Sequence, residues 1–245
     1  MSQSVLVVDD SPFVRRILSD WIKATTDLRV VGAASNGNEA VKMVRELRPD
    51  VVTMDVEMPE RDGLSALEEI MRSCPTPVLM VSSLTTQGAA ATIKALVLGA
   101  YDFVAKPQGS TSLKILSTKD ELLEKIRHAR HTRPGRAVTR PVPTHAIKAK
   151  SDKVVVIAAS TGGPRALAAL WEGLPKGFPA PILIVQHMPV GFTDSFAKRL
   201  DAIGTVPCKE AADRDHITPG MALLAPGGKH MTVRPGGVVQ LTEEP

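Results

Sequence analysis

Through roughly the first 130 residues, short and uniformly apolar runs alternate with longer segments in which apolar residues return every third or fourth position. The uniform runs read as strands buried on both faces, and the periodic segments as helices covering them. Residues 5–8 predict the first strand. Ser11 and Pro12 supply an N-cap and a first-turn residue for a helix reaching about residue 22. Strands are then predicted over 30–33, 51–54, 78–82 and 102–105, with helices over 38–47, 64–73, near 87–98 and over 119–130. Five strands, each followed by a helix, predict an α/β fold with a parallel, doubly wound sheet whose ligands bind at the carboxyl ends of the strands.

The pattern breaks between residues 127 and 150, where seven Lys or Arg stand with no Asp or Glu, beside Pro134, Gly135, Pro141 and Pro143. Such a stretch buries too little apolar surface to fold alone and predicts an extended linker. Beyond it the alternation resumes: an apolar run over 154–159, a Gly/Pro turn, a helix over 165–171, a strand over 182–186, an amphipathic helix over 193–200, and a hairpin pairing 231–233 with 238–241. The expected division is a domain over 1–127, a linker over 128–152 and a second domain over 153–245, in keeping with roughly 150 residues per domain.

Composition excludes some classes. No apolar stretch approaches the ~20 residues that span a bilayer, and the N-terminus reads directly into a strand without a basic, apolar leader, so a cytoplasmic protein with no membrane insertion is expected. Cys74 and Cys208 are far apart and lack C-x-x-C spacing, which suggests reduced thiols rather than a zinc site or a disulfide. The net charge of +4 would suit nucleic acid, but the excess lies in the linker, where solvation is the expected role and contact with an acidic partner the lesser one.

Two groupings carry chemistry. Asp9 and Asp10 end the first strand and Asp55 ends the third; in the flavodoxin-like order 2-1-3-4-5 these strands are neighbours, so the charges converge. Packed carboxylates are costly unless a cation neutralises them, and hard oxygen ligands that leave room for water and phosphate suit Mg²⁺. Ser82 and Lys106, at the ends of the fourth and fifth strands, add a hydroxyl and an ammonium to the same rim. Singly these residues read as helix caps, a turn or a solvated lysine; gathered on strand ends they predict a phosphoryl site.

In the second half Ser160 follows the apolar run and precedes Thr161, Gly162, Gly163 and Pro164, so a strand enters a sharp turn and then a helix. That geometry holds the hydroxyl clear of the backbone, beside free helix N-terminal amides. His187 ends the next strand and supplies a base if the two strands pair. Either residue alone reads more simply as a helix cap or a strand end. Together they predict ester hydrolysis, with the imidazole taking the serine proton and the amides holding the oxyanion.

The stretches Val5-Leu6-Val7-Val8-Asp9-Asp10-Ser11, Met54-Asp55-Val56-Glu57-Met58-Pro59, Asp62-Gly63, Val81-Ser82-Ser83 and Phe103-Val104-Ala105-Lys106-Pro107 resemble the receiver domain of two-component response regulators over about residues 1–127. The resemblance implies that Asp55 accepts a phosphoryl group from a histidine kinase. It also implies that Asp9, Asp10 and Asp55 hold Mg²⁺ with the Glu57 carbonyl, and that Lys106 pairs with phosphoryl oxygens. Ser82 would follow the phosphate, Phe103 would be the coupled aromatic switch, and the Lys106-Pro107 bond would be cis. Many receivers carry Thr and Tyr where Ser82 and Phe103 stand, which bears on the strength of the switch.

Ala159-Ser160-Thr161-Gly162-Gly163-Pro164, Val185-Gln186-His187-Met188-Pro189 with Phe192 and Phe196, and Ala225-Pro226-Gly227-Gly228-Lys229-His230-Met231 resemble the chemotaxis protein-glutamate methylesterases of CheB type. That resemblance implies Ser160 as nucleophile and His187 as general base and then acid. The implied reaction is hydrolysis of glutamate methyl esters on the cytoplasmic domains of methylated chemoreceptors, with glutamine deamidation as a second activity and no cofactor for the esterase. An acid should orient His187. Asp194, Asp201, Asp213 and Asp215 are available but read as a helix face and polar loops, and the family's aspartate lies downstream of the hairpin. No carboxylate of this chain is therefore expected at the His187 ring, Ser160 and His187 are expected to face each other loosely, and the sequence ending at Pro245 is expected to be poorly active with an incomplete α/β methylesterase domain. The competing reading is a receiver-controlled DNA-binding response regulator, although residues 153–245 lack a helix-turn-helix pattern.

Overall fold

The computed structural model describes residues 2–83, 85–106, 112–130 and 152–243. The chain divides into two units, Met1–Arg136 and Ala137–Pro245. Most of the expected linker, and the Lys106-Pro107 bond, lie outside the described residues.

The first unit runs β1 (Gln3–Val8), α1 (Pro12–Lys23), β2 (Leu28–Ala34), α2 (Gly37–Leu47), β3 (Val51–Asp55), α3 (Gly63–Ser73), β4 (Val78–Ser82), α4 (Thr86–Leu98), β5 (Asp102–Ala105) and α5 (Ser112–Ala129). Its sheet is parallel in the order β2-β1-β3-β4-β5. β1, β3 and β4 are buried along their whole length, which is why their sequences are mainly apolar rather than alternating. Val5, Val7, Leu18, Ile22, Val81, Leu122 and Ile126 form part of one core between this sheet and the helices α1 and α5. Ser11, Asn36, Asp62 and Thr85 each accept a backbone N–H at the start of a helix, so the loops at the carboxyl edge end in true caps.

The second unit contains β6 (Val155–Ala159), α6 (Gly163–Gly173), β7 (Ile182–Gln186), α7 (Phe192–Ile203), β8 (Cys208–Glu210), β9 (Ala222–Leu224), β10 (His230–Arg234) and β11 (Val238–Thr242). β6, β7, β9 and β8 form a parallel sheet in that order, and β10 and β11 form a separate antiparallel hairpin. Trp171, Phe192, Phe196 and Leu200 are fully buried, and the Trp171 indole N–H donates to the Val206 carbonyl at 3.0 Å. β6 is an edge strand with alternating exposure.

Candidate functional site

At the carboxyl edge of the first sheet, Asp9 follows β1 and Asp55 ends β3, and both are buried while Asp10 is exposed. Carboxylate oxygens of these three residues lie within 4.8 Å of one another. Lys106 Nζ sits 2.7 Å from Asp55 Oδ2 and 3.1 Å from Asp9 Oδ2. Burial pushes the Asp55 carboxyl up to about 6, against the opposing pull of Lys106. Burial alone would depress the Lys106 ammonium; its hydrogen bond to Asp55 and the charges of Asp55 and Asp9 outweigh it and hold the group above its ordinary value. Asp10, Asp55, Val56, Glu57, Ser83 and Lys106 line a cleft of about 230 Å³.

The cluster fits a hard divalent cation. Asp9 Oδ2 is buried and receives no well-aligned hydrogen bond even though Lys106 is close, so an acceptor lone pair is left over beside the cleft. Ser82 is fully buried, and its hydroxyl lies 3.3 Å from both the Ser83 and the Gly88 carbonyls, turned toward the first turn of α4. Phe103 is buried on β5. Two neighbours of this site carried no motif in the sequence. Arg15 donates to the carbonyls of Asp9 at 2.6 Å and Asp10 at 2.9 Å. Lys125 donates to the Phe103 carbonyl at 2.7 Å, with its Nζ 5.3 Å from the ring centroid. Only their helical phase, facing the strand ends from α1 and α5, would have singled them out.

In the second unit β6 and β7 pair in parallel with Ala159 opposite Gln186, and the His187 N–H donates to the Ala159 carbonyl at 3.0 Å. Ser160 and His187 therefore emerge side by side from strands about 4.8 Å apart. Both are exposed. The helix-cap alternative for Ser160 and Thr161 fails, because the N-cap of α6 is Gly162 and no side chain caps it. Gly162 sits at φ 74, a left-handed conformation that favours glycine. The turn thus leaves the Ser160 hydroxyl uncommitted, while the first helical amide, Gly163 N–H, donates to the Ser160 carbonyl at 2.8 Å.

Among the described residues the Ser160 hydroxyl and the His187 ring make no hydrogen bond. All four candidate acids are engaged elsewhere. Asp194 pairs with Lys198 at 2.7 Å, Asp201 accepts from Cys208 N at 2.9 Å, Asp213 accepts from Leu241 N at 3.1 Å, and Asp215 pairs with Lys209 at 2.7 Å.

The response regulator receiver domain family model matches residues 5–116, and the CheB methylesterase family model matches residues 155–245. The protein-glutamate methylesterase/protein-glutamine glutaminase of Thermotoga maritima is 50% identical over 233 residues, covering 94% of this chain and 68% of its own length. The protein of the same name from Geobacillus kaustophilus is 48% identical over 241 residues, covering 95% and 69%. This chain belongs to the protein-glutamate methylesterase/protein-glutamine glutaminase family. The crystal structure of the response regulator domain of Thermotoga maritima CheB matches 55% of this chain and 100% of its own, at TM-score 0.51 and 54% identity.

Membership of the methylesterase family corrects the alternative reading as a DNA-binding regulator. The positive charge suggested that output, but the second unit matches a methylesterase and is built on a parallel sheet. Receiver domains bind Mg²⁺ at an acidic pocket, and Asp9, Asp10 and Asp55 form such a pocket here. No helix among the described residues is long and apolar enough to cross a membrane.

Proposed function

We propose that this chain is a phosphorylation-controlled serine esterase that hydrolyses glutamate methyl esters on chemoreceptors and deamidates glutamines there. Residues 1–127 are assigned as the phosphoacceptor domain, 128–152 as the linker and 153–245 as the part that carries the nucleophile. The single observation behind the esterase is the β6–β7 register, which puts Ser160 and His187 on adjacent strand ends above an uncapped helix N-terminus.

His187 takes the Ser160 proton as the oxygen attacks the ester carbonyl, and returns it to the departing methanol. Turn amides beside Ser160 receive the developing oxyanion. Water then repeats the sequence on the acyl-enzyme. No carboxylate among the described residues hydrogen-bonds His187, and a carboxylate that fixes the tautomer of such a base is worth on the order of 10⁴-fold in turnover.

In the first domain Asp55 is the acceptor of a phosphoryl group from a histidine kinase. Mg²⁺ held by Asp9, Asp10, Asp55 and the Glu57 carbonyl would neutralise charge on the transferred group. Lys106 already bridges Asp55 and Asp9 and is placed to pair with phosphoryl oxygens. Turning the Ser82 hydroxyl toward them would release the Gly88 carbonyl and so reach α4, with Phe103 as the coupled aromatic. The esterase assignment is tested by methanol release from a methylated receptor fragment. Ser160→Ala should abolish it and His187→Ala should reduce it to near background; a Ser160→Ala variant as active as the parent would remove the assignment.

A further inference from the structure

Gln186 ends β7 as a buried polar residue, 6% exposed, after an otherwise apolar strand. Its amide Nε2 donates to the Ser160 carbonyl at 2.9 Å and lies 3.2 Å from the His187 carbonyl. Two carbonyl acceptors fix this end of the amide as the nitrogen. The other end, Oε1, is buried without a partner among the described residues and fills the space beside Gly163, where an added Cβ would lie 2.0 Å from it. Glycine at 163 is thus required by the amide's close approach. One side chain therefore joins both strand ends from beneath.

The Ser160 carbonyl also accepts from Gly163 N at 2.8 Å, so two donors draw it into the turn. In a planar trans peptide the carbonyl and the following N–H point in opposite directions. Holding Ser160 C=O inward turns the Thr161 N–H outward, beside the exposed Ser160 side chain, and that N–H donates to no group among the described residues.

Resting on Ser160 as nucleophile and His187 as base, we propose that Gln186 is a positioning residue that locks the two strand ends together and aims the Thr161 N–H at the oxyanion. It touches neither the substrate nor the His187 ring; it acts through the backbone. Misaiming one oxyanion donor and shifting the serine should cost on the order of 10²-fold in rate with little effect on ligand affinity.

The test is the rate at which a fluorophosphonate probe labels Ser160 in the full chain, as a function of probe concentration, with Ser160→Ala as the control for the labelled site. Gln186→Met keeps length and volume but has no donor, and Gln186→Glu keeps shape but offers only acceptors at neutral pH. Both should lower the maximal labelling rate 10- to 100-fold at an unchanged half-saturating concentration, with thermal midpoint and Asp55 phosphorylation as in the parent. Gly163→Ala pushes the amide aside without deleting it, should show the same fall, and serves where Gln186→Met fails to fold. Parent-like labelling in Gln186→Met or, where that variant does not fold, in Gly163→Ala would reduce Gln186 to packing and overturn the proposal. Labelling of Ser160→Ala at the parent rate would instead overturn the nucleophile assignment on which it rests.

Discussion

Asp55 is only 2% exposed, and burial raises its carboxyl to about 6. Its folded value lies above the ordinary 3.8, so the protonated form favours the metal-free fold at low pH, and that contribution is lost as pH rises through about 6. A cation or a phosphoryl group needs the ionised form and must displace the proton. Mg²⁺ affinity measured by calorimetry should therefore weaken as pH falls from 7.5 to 5, with the change centred near 6. An affinity flat across that range would place the metal elsewhere. Asp55→Asn should abolish phosphorylation by a small-molecule phosphodonor, whereas Lys106→Ala should keep the phosphorylation and lose the response, because Lys106 senses charge on Asp55 rather than accepting the group. Mass spectrometry of the aspartyl phosphate distinguishes these outcomes, and a retained phosphate in the Asn variant would contradict the assignment.

At the scale of elements, the strand ends were legible because burial on both faces writes a strand as an apolar run, and the chemistry sits one residue past it, as at Asp9, Ser160 and His187. Three-residue strands are too short to display a period: β8 is Cys208–Glu210, with a lysine and a glutamate, and β9 (Ala222–Leu224), although apolar, is no longer than a turn of helix. α5 begins at Ser112, earlier than the sequence suggested, since Ser117 and Thr118 are weak helix formers that obscure its first turns. Arg15, Lys125 and Gln186 escaped for another reason: they act on backbone carbonyls, which any sequence offers everywhere. β6 remains an edge strand with Val156 67% exposed, and Val185 on the neighbouring β7 is 46% exposed. An apolar edge of this kind invites pairing with another chain. Sedimentation velocity should show concentration-dependent association that Val156→Lys reduces; equal association in both would mean that this edge is not the contact.

Across the whole molecule, the two units carry separate groupings: an acidic cluster with Lys106 on the carboxyl edge of one sheet and a serine–histidine pair on the carboxyl edge of another. Between 127 and 150 the sequence holds seven basic residues and no acid, a composition that favours solvation over burial. Control by phosphorylation is then a statement about coupling, and coupling can be read in one vessel. The measurement is methanol release from a methylated receptor fragment before and after adding Mg²⁺ and a small-molecule phosphodonor, with the Ser160→Ala variant as blank. The rate should be slow, should rise on phosphorylation, and should show no rise in the Asp55→Asn variant. A rate unmoved by the phosphodonor while Asp55 is verified as phosphorylated, or an equal rise in Asp55→Asn, would contradict a phosphorylation-controlled esterase.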